Sequence, residues 1–366
     1  MEDMDSKIGS LSDAQEIETV PEITNEKVKA LLAKLPPFKQ YPMEEIDLSA
    51  IKPRQLSNDA VYIGRVEGDS REGFGKQIWP DGTYFEGCWS ENKADGKGRI
   101  IFPNGDYYEG TFHRNAYSGE GSYYWANGAS YIGFWGSNQA IETGVEKYAN
   151  GNIYEGEYIN GRKYGQGTLT FKDGSIYKGS FVNNLPDGEG TYIWADGRKF
   201  EGQYEAGQKK EGKMTWPDGS SYEGGFENNK FSGNGKYQWA DGSIYEGSWS
   251  NGMRNGCGKY TKGKVVYEGG WKNNVRHGTG EFTDENGNSK SGEWQNGQLV
   301  RWTTAKSRRV SFVEVSEKKR DSVAGTPPVT SPRVVRSKSS VSSRSKSPAS
   351  VSESPSYTDS DPDSDY

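Results

Sequence analysis

Aliphatic residues are scarce in this chain. Hydrophobic residues of every kind occupy 31% of its 366 positions, and 23 residues are tyrosines, so little remains of the Leu, Ile and Val that fill an ordinary interior. Length alone suggests two or three domains, but the shortage of aliphatics argues against that count. No apolar run approaches the roughly 20 residues of a membrane span, and the acidic start Met1-Glu2-Asp3-Met4-Asp5 is unlike a secretory signal. A soluble, cytoplasmic protein is expected. Cysteine is limited to Cys88 and Cys257 and histidine to His113 and His277, which excludes a disulfide framework and a structural zinc site. Glycine is plentiful, with 49 residues, and aromatics reach 13%.

A glycine-rich, aromatic-rich chain calls for a search for internal periodicity. An aromatic-x-Gly triplet begins at Tyr62, Phe85, Tyr108, Tyr131, Tyr154, Tyr177, Phe200, Tyr222, Tyr245 and Tyr267, with a degenerate one at Lys290. The spacing is 23 residues, except for 22 after Phe200 and after Tyr245, giving ten full units and a terminal half. Counted from the first aromatic, the template is aromatic at 0, Gly at +2, aromatic at +4, Gly at +11 and +13, aromatic at +17 and Asx-Gly at +19 and +20. Departures are few. Val66 replaces one +4 aromatic, Glu142 and Lys210 replace the first glycine of their pairs, Lys262-Gly263 replaces one Asx-Gly, and Asp284 stands where an aromatic is expected.

Positions 0, +2 and +4 project from one face of a strand, and +11, +13, +15 and +17 do the same in a second strand. Both strands of a unit therefore place their bulk on a common face, and the recurring glycines leave room for rings to lie over them. Asx-Gly pairs such as Asp81-Gly82 and Asp241-Gly242, and pairs such as Asn160-Gly161 and Asn183-Asn184, supply turns. Each unit is predicted to be a β-hairpin. Hairpins joined by hairpins make an elongated, single-layer antiparallel meander of roughly twenty strands, on the order of 100 Å long.

The units resemble the MORN (membrane occupation and recognition nexus) repeat, typified by Tyr154-Glu155-Gly156-Glu157-Tyr158, Asn160-Gly161 and Gly165-Gln166-Gly167. The resemblance covers residues 62–302 and implies an all-β, single-layer scaffold or adaptor. It also implies cytoskeletal or ciliary (axonemal) company, because similar proteins occur in axonemes and basal-body structures.

The flanks divide the chain into an acidic leader (1–61), the array (62–302) and a tail (303–366). In the leader Val28, Leu31, Leu32 and Leu35 recur at helical spacing until Pro36-Pro37, so a short helix is expected near 25–35. It would cap the open edge of the first hairpin or dock a partner. Residues 301–348 hold 12 basic and 3 acidic side chains, and 349–366 hold 5 acidic and no basic ones. The tail's Ser-, Pro-, Lys- and Arg-rich composition predicts disorder. Ser311 and Ser322 follow basic residues, and Thr326, Ser331, Ser347 and Ser354 each precede proline, making these six the candidate phosphorylation sites.

No arrangement of residues supports catalysis. The Gly-x-Gly pairs lack the third glycine and the helix of a dinucleotide site. The +1 glutamates, Glu86, Glu109, Glu155, Glu201, Glu223, Glu246 and Glu268, form an open column too regular for an acid/base pair. They read as a solvated stripe on the face opposite the aromatics. The expectation is a protein without enzymatic activity, cofactor, metal or nucleic-acid ligand.

Rings at 0 and +4 are expected to form a long, partly exposed groove that binds a helix or an extended peptide. They are Tyr62, Phe85, Trp89, Tyr108, Phe112, Tyr131, Trp135, Tyr154, Tyr158, Tyr177, Phe181, Phe200, Tyr204, Tyr222, Phe226, Tyr245, Trp249, Tyr267 and Trp271. On this view, truncating Trp135 and Tyr158 releases a partner without unfolding the array. The alternative is a phospholipid or membrane-surface adaptor. Residues 61–300 carry 26 basic and 31 acidic side chains, so only the basic tail could supply that attraction. Pairing of two rods into a homodimer is a further expectation.

Overall fold

The computed structural model describes residues 11–39 and 47–303. The tail, with its six candidate phosphorylation sites, lies outside the described residues. Among the described residues there are twenty-four strands, β1 to β24 in chain order, in one antiparallel sheet, and a single α-helix, α1 (Glu26–Lys34). From β3 (Val61–Glu67) to β24 (Gln298–Trp302) each strand pairs with its neighbours in sequence, as expected of tandem hairpins.

The two turns of each unit use different chemistry. In the +6/+7 turn of every unit after the first both residues take positive φ, as at Glu91-Asn92 (50° and 67°) and Asn160-Gly161 (51° and 73°), which is the twist a two-residue hairpin needs. In the longer turn only the +20 glycine has positive φ. The preceding Asx acts through its side chain: Asp81 Oδ1 accepts from the Thr83 amide at 2.9 Å, and Asp241 Oδ1 from the Ser243 amide at 2.9 Å.

The two glycines of the second strand also have separate causes. Gly+13 pairs with Gly+2, and both lie under the position-0 ring; a Cβ on Gly121 would sit 2.2 Å from Tyr108 Oη and 2.5 Å from its Cζ. Gly+11 is instead a bulge residue whose φ runs from 59° at Gly119 to 102° at Gly256. Opposite it, residue +3 faces three residues, +10 to +12, so the register shifts by two while the alternation of faces survives. Glu142 occupies this position at φ 55°, a conformation costly for a side chain.

Helix α1 corrects the expected edge cap. Asn25 caps it, accepting from the Lys27 and Val28 amides at 3.1 and 3.2 Å, and its apolar stripe lies on the sheet face opposite the ring columns. Val28 is buried with Tyr84 and Ile101, and Leu31, Leu32 and Leu35 pack around them. The open edge is covered by two short strands, β1 (Gln15–Glu16) on β2 (Arg54–Gln55) and β2 on β3. Beyond the helix, Phe38 stacks on Phe74 at 6.2 Å, and the Arg99 guanidinium donates to the Pro36 carbonyl at 3.0 Å. Arg99 also pairs with Glu86 at 3.2 Å and Glu109 at 2.7 Å. Glu86 is thus buried beneath the leader rather than part of a solvated stripe.

Candidate partner-binding face

The expectation of partly exposed rings at 0 and +4 is corrected by the packing. In the first column, Tyr62, Phe85, Tyr108, Tyr131, Tyr154, Tyr177, Phe200, Tyr222, Tyr245 and Tyr267 are at most 3% exposed. In the second, Trp89, Phe112, Trp135, Tyr158, Phe181, Tyr204, Phe226, Trp249 and Trp271 are at most 6% exposed. Each +4 ring meets the position-0 ring of its own unit and that of the preceding unit edge to face. Tyr154 to Tyr158, Tyr154 to Phe181 and Tyr177 to Phe181 have centroids 5.3, 5.1 and 5.1 Å apart, with planes 84–90° apart. Quadrupoles favour this T-shaped arrangement. Repeated along the array, it makes a one-dimensional herringbone core. Truncating Trp135 and Tyr158 would therefore damage the core itself.

The tyrosine hydroxyls fit the same scheme. The bulge leaves the +3 carbonyl off the strand ladder, and the position-0 hydroxyl donates to it. Tyr62 reaches the Arg65 carbonyl at 2.9 Å, Tyr108 reaches Thr111 at 2.9 Å and Tyr245 reaches Ser248 at 3.1 Å. Indoles at +4 donate one unit back, as Trp135 Nε1 does to the Gly121 carbonyl at 3.1 Å. Burial raises these tyrosines above their ordinary pKa, Tyr267 to about 12.

Over this floor lies a second layer that position-by-position reading passed over. Position +9 carries Arg71, Ala94, Tyr117, Ala140, Lys163, Pro186, Lys209, Phe231, Arg254 and Arg276. Its aromatic members stack flat on the floor, Tyr117 on Tyr108 at 3.9 Å and Phe231 on Tyr222 at 3.8 Å. Its cations sit over rings: Arg71 over Trp89 at 4.7 Å, Lys209 over Trp194 at 4.5 Å and Arg254 over Trp271 at 4.6 Å. Each is a cation–π contact. The signal in the sequence was that +9 is a cation in five units and an aromatic ring in two, against two alanines and a proline.

Position +17 supplies the surface that stays open. Trp79 and Tyr148 are buried, but Phe102, Trp125, Phe171, Trp194, Trp216 and Trp239 are half-buried against the core. Several of them lean on the +15 ring: Tyr192 to Trp194 is 4.5 Å and Tyr237 to Trp239 is 4.7 Å. A shallow recess between units is lined by Pro186, Tyr192, Trp194 and Lys209. In the unit starting at Tyr131, Glu146 takes the place of the +15 ring. It accepts from Tyr148 and Tyr158 at 2.5 and 3.0 Å and pairs with Lys163 at 3.2 Å.

Tandem hairpins that bury their rings only against neighbouring hairpins define a repeat scaffold, in which each unit contacts the next and length is added unit by unit. A family model described as the MORN repeat matches residues 62–84, 85–107, 108–130, 154–176, 177–197, 200–221, 222–244, 245–264 and 267–289. The chain belongs to the MORN repeat family. The unit left unmatched, 131–153, is the one with Glu142 at the bulge and Glu146 in the ring layer.

No curated protein matches the chain. Among solved structures, it is similar to the TCP10 domain of Danio rerio CPAP in complex with a peptide of Danio rerio STIL. The two are 13% identical, and the match covers 67% of this chain and 99% of that one at a TM-score of 0.35. The SAS-4 (dCPAP) TCP domain in complex with a proline-rich motif of Drosophila melanogaster Ana2 (dSTIL) is 15% identical, covering 53% and 99% at 0.28. Alignment this loose identifies neither an activity nor a partner.

Proposed function

We propose that the array is a non-catalytic scaffold that binds protein partners along its ring-bearing face, with the half-buried +17 rings as anchors and the 0/+4 herringbone as the floor beneath them. The observation that carries this reading is the row Trp194, Trp216 and Trp239, which keeps indole surface open to solvent in three successive units. Large amphipathic rings on a rigid support are favoured interface anchors. The non-catalytic part rests on membership of a repeat-scaffold family. Placement in a cytoplasmic cytoskeletal or ciliary assembly rests on family membership.

The test is cross-linking mass spectrometry from native extract with the full chain and with its Trp194→Ser, Trp239→Ser variant. The variant is expected to keep the circular dichroism spectrum of the array while losing partners cross-linked within the three units 177–244. Retention of the same partners would refute the assignment of the binding surface.

A further inference from the structure

The ring-bearing face changes character toward its C-terminal end. After Trp239 the +17 aromatics stop, and Lys262 and Asp284 stand in their places. The +9 residues are Arg254 and Arg276, and the position-0 residue of the terminal half-unit is Lys290. All three lie over rings of this face: Arg254 over Trp271 at 4.6 Å, Arg276 over Tyr267 at 4.9 Å and Lys290 over Trp302 at 5.8 Å. The acids on this side are already engaged. Asp241 pairs with Lys262 at 2.7 Å, and Asp284 accepts from the Asn286 and Asn288 amides of its own turn at 2.9 Å each. The column Glu201, Glu223, Glu246 and Glu268 belongs to the opposite face, where it sits across from Lys213, Lys236 and Lys259. The array is acidic by count, but this stretch of the ring-bearing face is cationic.

We propose that the occupant of this cationic stretch is the chain's own acidic end, Asp359-Ser360-Asp361-Pro362-Asp363-Ser364-Asp365, bound as an extended segment. In an extended chain the four aspartates, two residues apart, project from one side, and they span about 20 Å at ~3.3 Å per residue. Arg254, Arg276 and Lys290 fall in three successive units. At ~4.8 Å per strand, the three strand spacings between the first and last of them come to about 14 Å, the length of three of the four aspartates (about 13 Å at ~3.3 Å per residue), so carboxylates and cations match in length as well as in sign. Reach is ample. The described chain stops at Thr303, beside this end of the sheet, and the 55 residues between Thr303 and Asp359 can bridge up to ~180 Å when extended. Tethering replaces a bimolecular encounter with an effective concentration in the millimolar range. The segment would then cover the last units of the partner-binding face from within, and added negative charge on Ser360 or Ser364 would strengthen the contact.

The proposal uses the same face as the partner reading but not its evidence, because partner capture depends on Trp194 and Trp239 and this contact depends on the tail. Full-length protein at low salt and low concentration is treated with a zero-length carbodiimide, and the links are mapped. Intrachain links from Asp359–Asp365 to Lys262 or Lys290 are expected. They should fall at least about fivefold in 0.5 M NaCl, where screening is within ~4 Å, and in the Arg254→Glu, Arg276→Glu variant. A second readout leaves the array untouched. Protection of Arg254 and Arg276 from phenylglyoxal should disappear when Asp359, Asp361, Asp363 and Asp365 are all changed to Asn, and this measurement decides the matter if the arginine variant fails to fold. Links that fall on Lys213, Lys236 and Lys259 of the opposite face, links found only between chains, or arginines equally reactive in the Asn variant would each overturn the proposal.

Discussion

The two glycines of the second strand allow a test of the herringbone core, since the same substitution two residues apart meets different physics. In Gly121→Ala the new Cβ would lie 2.2, 2.5 and 2.6 Å from Oη, Cζ and Cε2 of Tyr108. The ring has no room to yield. Tyr117 stacks on it at 3.9 Å, Phe112 and Trp135 meet it edge to face at 5.2 and 5.5 Å, and its hydroxyl holds the Thr111 carbonyl at 2.9 Å. Overpacking of this kind costs about 1–3 kcal/mol, and losing the hydroxyl bond adds roughly 1 kcal/mol. The expected destabilisation is about 2–4 kcal/mol. In Gly119→Ala the nearest atoms, Cβ and Oγ1 of Thr111, are 3.7 Å away, and the penalty comes from φ at 59°. That conformation costs about 1–2 kcal/mol, partly offset by the stiffer unfolded chain, for a net of about 1 kcal/mol. Urea unfolding followed by circular dichroism and tryptophan emission measures both. Because repeats couple mainly to their neighbours, Gly121→Ala should also split the transition, melting the unit starting at Tyr108 and its neighbours before the C-terminal units. If Gly121→Ala destabilised the array no more than Gly119→Ala, the ring-over-glycine account of the core would be wrong.

Two further outcomes follow from the same geometry. Glu142→Gly relieves a side chain held at φ 55° and should raise the melting temperature of the array, with a gain of up to about 1 kcal/mol; a lower melting temperature would show that the carboxylate contributes more than its backbone strain costs. The raised tyrosine pKa values predict alkaline unfolding. The folded state favours the neutral phenol, so its contribution is complete below the ordinary value of 10.0 and is lost as pH climbs through the folded value, about 12 for Tyr267 and higher for Tyr62, Tyr108 and Tyr222. Phenolate absorbance of the buried column should therefore rise only above the ordinary value, together with loss of strand signal. A single smooth titration centred at the ordinary value would contradict the burial.

Most of the local architecture was readable in the residues. The 23-residue period, the hairpins, the face shared by 0, +2, +4 and +13, and the glycines beneath the rings all follow from side-chain alternation and from the missing Cβ. Two local features were only half visible. Asx-Gly announced a turn, but the work of the Asx side chain needed the Asp81-to-Thr83 distance. Gly+11 looked like a second ring-bearing gap until its positive φ placed it in the bulge that frees the +3 carbonyl for the tyrosine hydroxyl.

The sequence by itself determined the array: its period, its strand pairing, its single layer and the side on which the rings lie, because each is set within one or two units by local geometry. Whether those rings are surface or core was decided only by the tertiary structure. A position-0 ring is covered by the +4 ring of the next unit and by a +9 side chain that no repeat template specifies, so its burial depends on contacts between units. The placement of α1 on the opposite face was decided in the same way. Its apolar stripe would fit any apolar strip of sufficient length, and Tyr84, Ile101 and Tyr107 form such a strip only once three strands from two hairpins stand side by side.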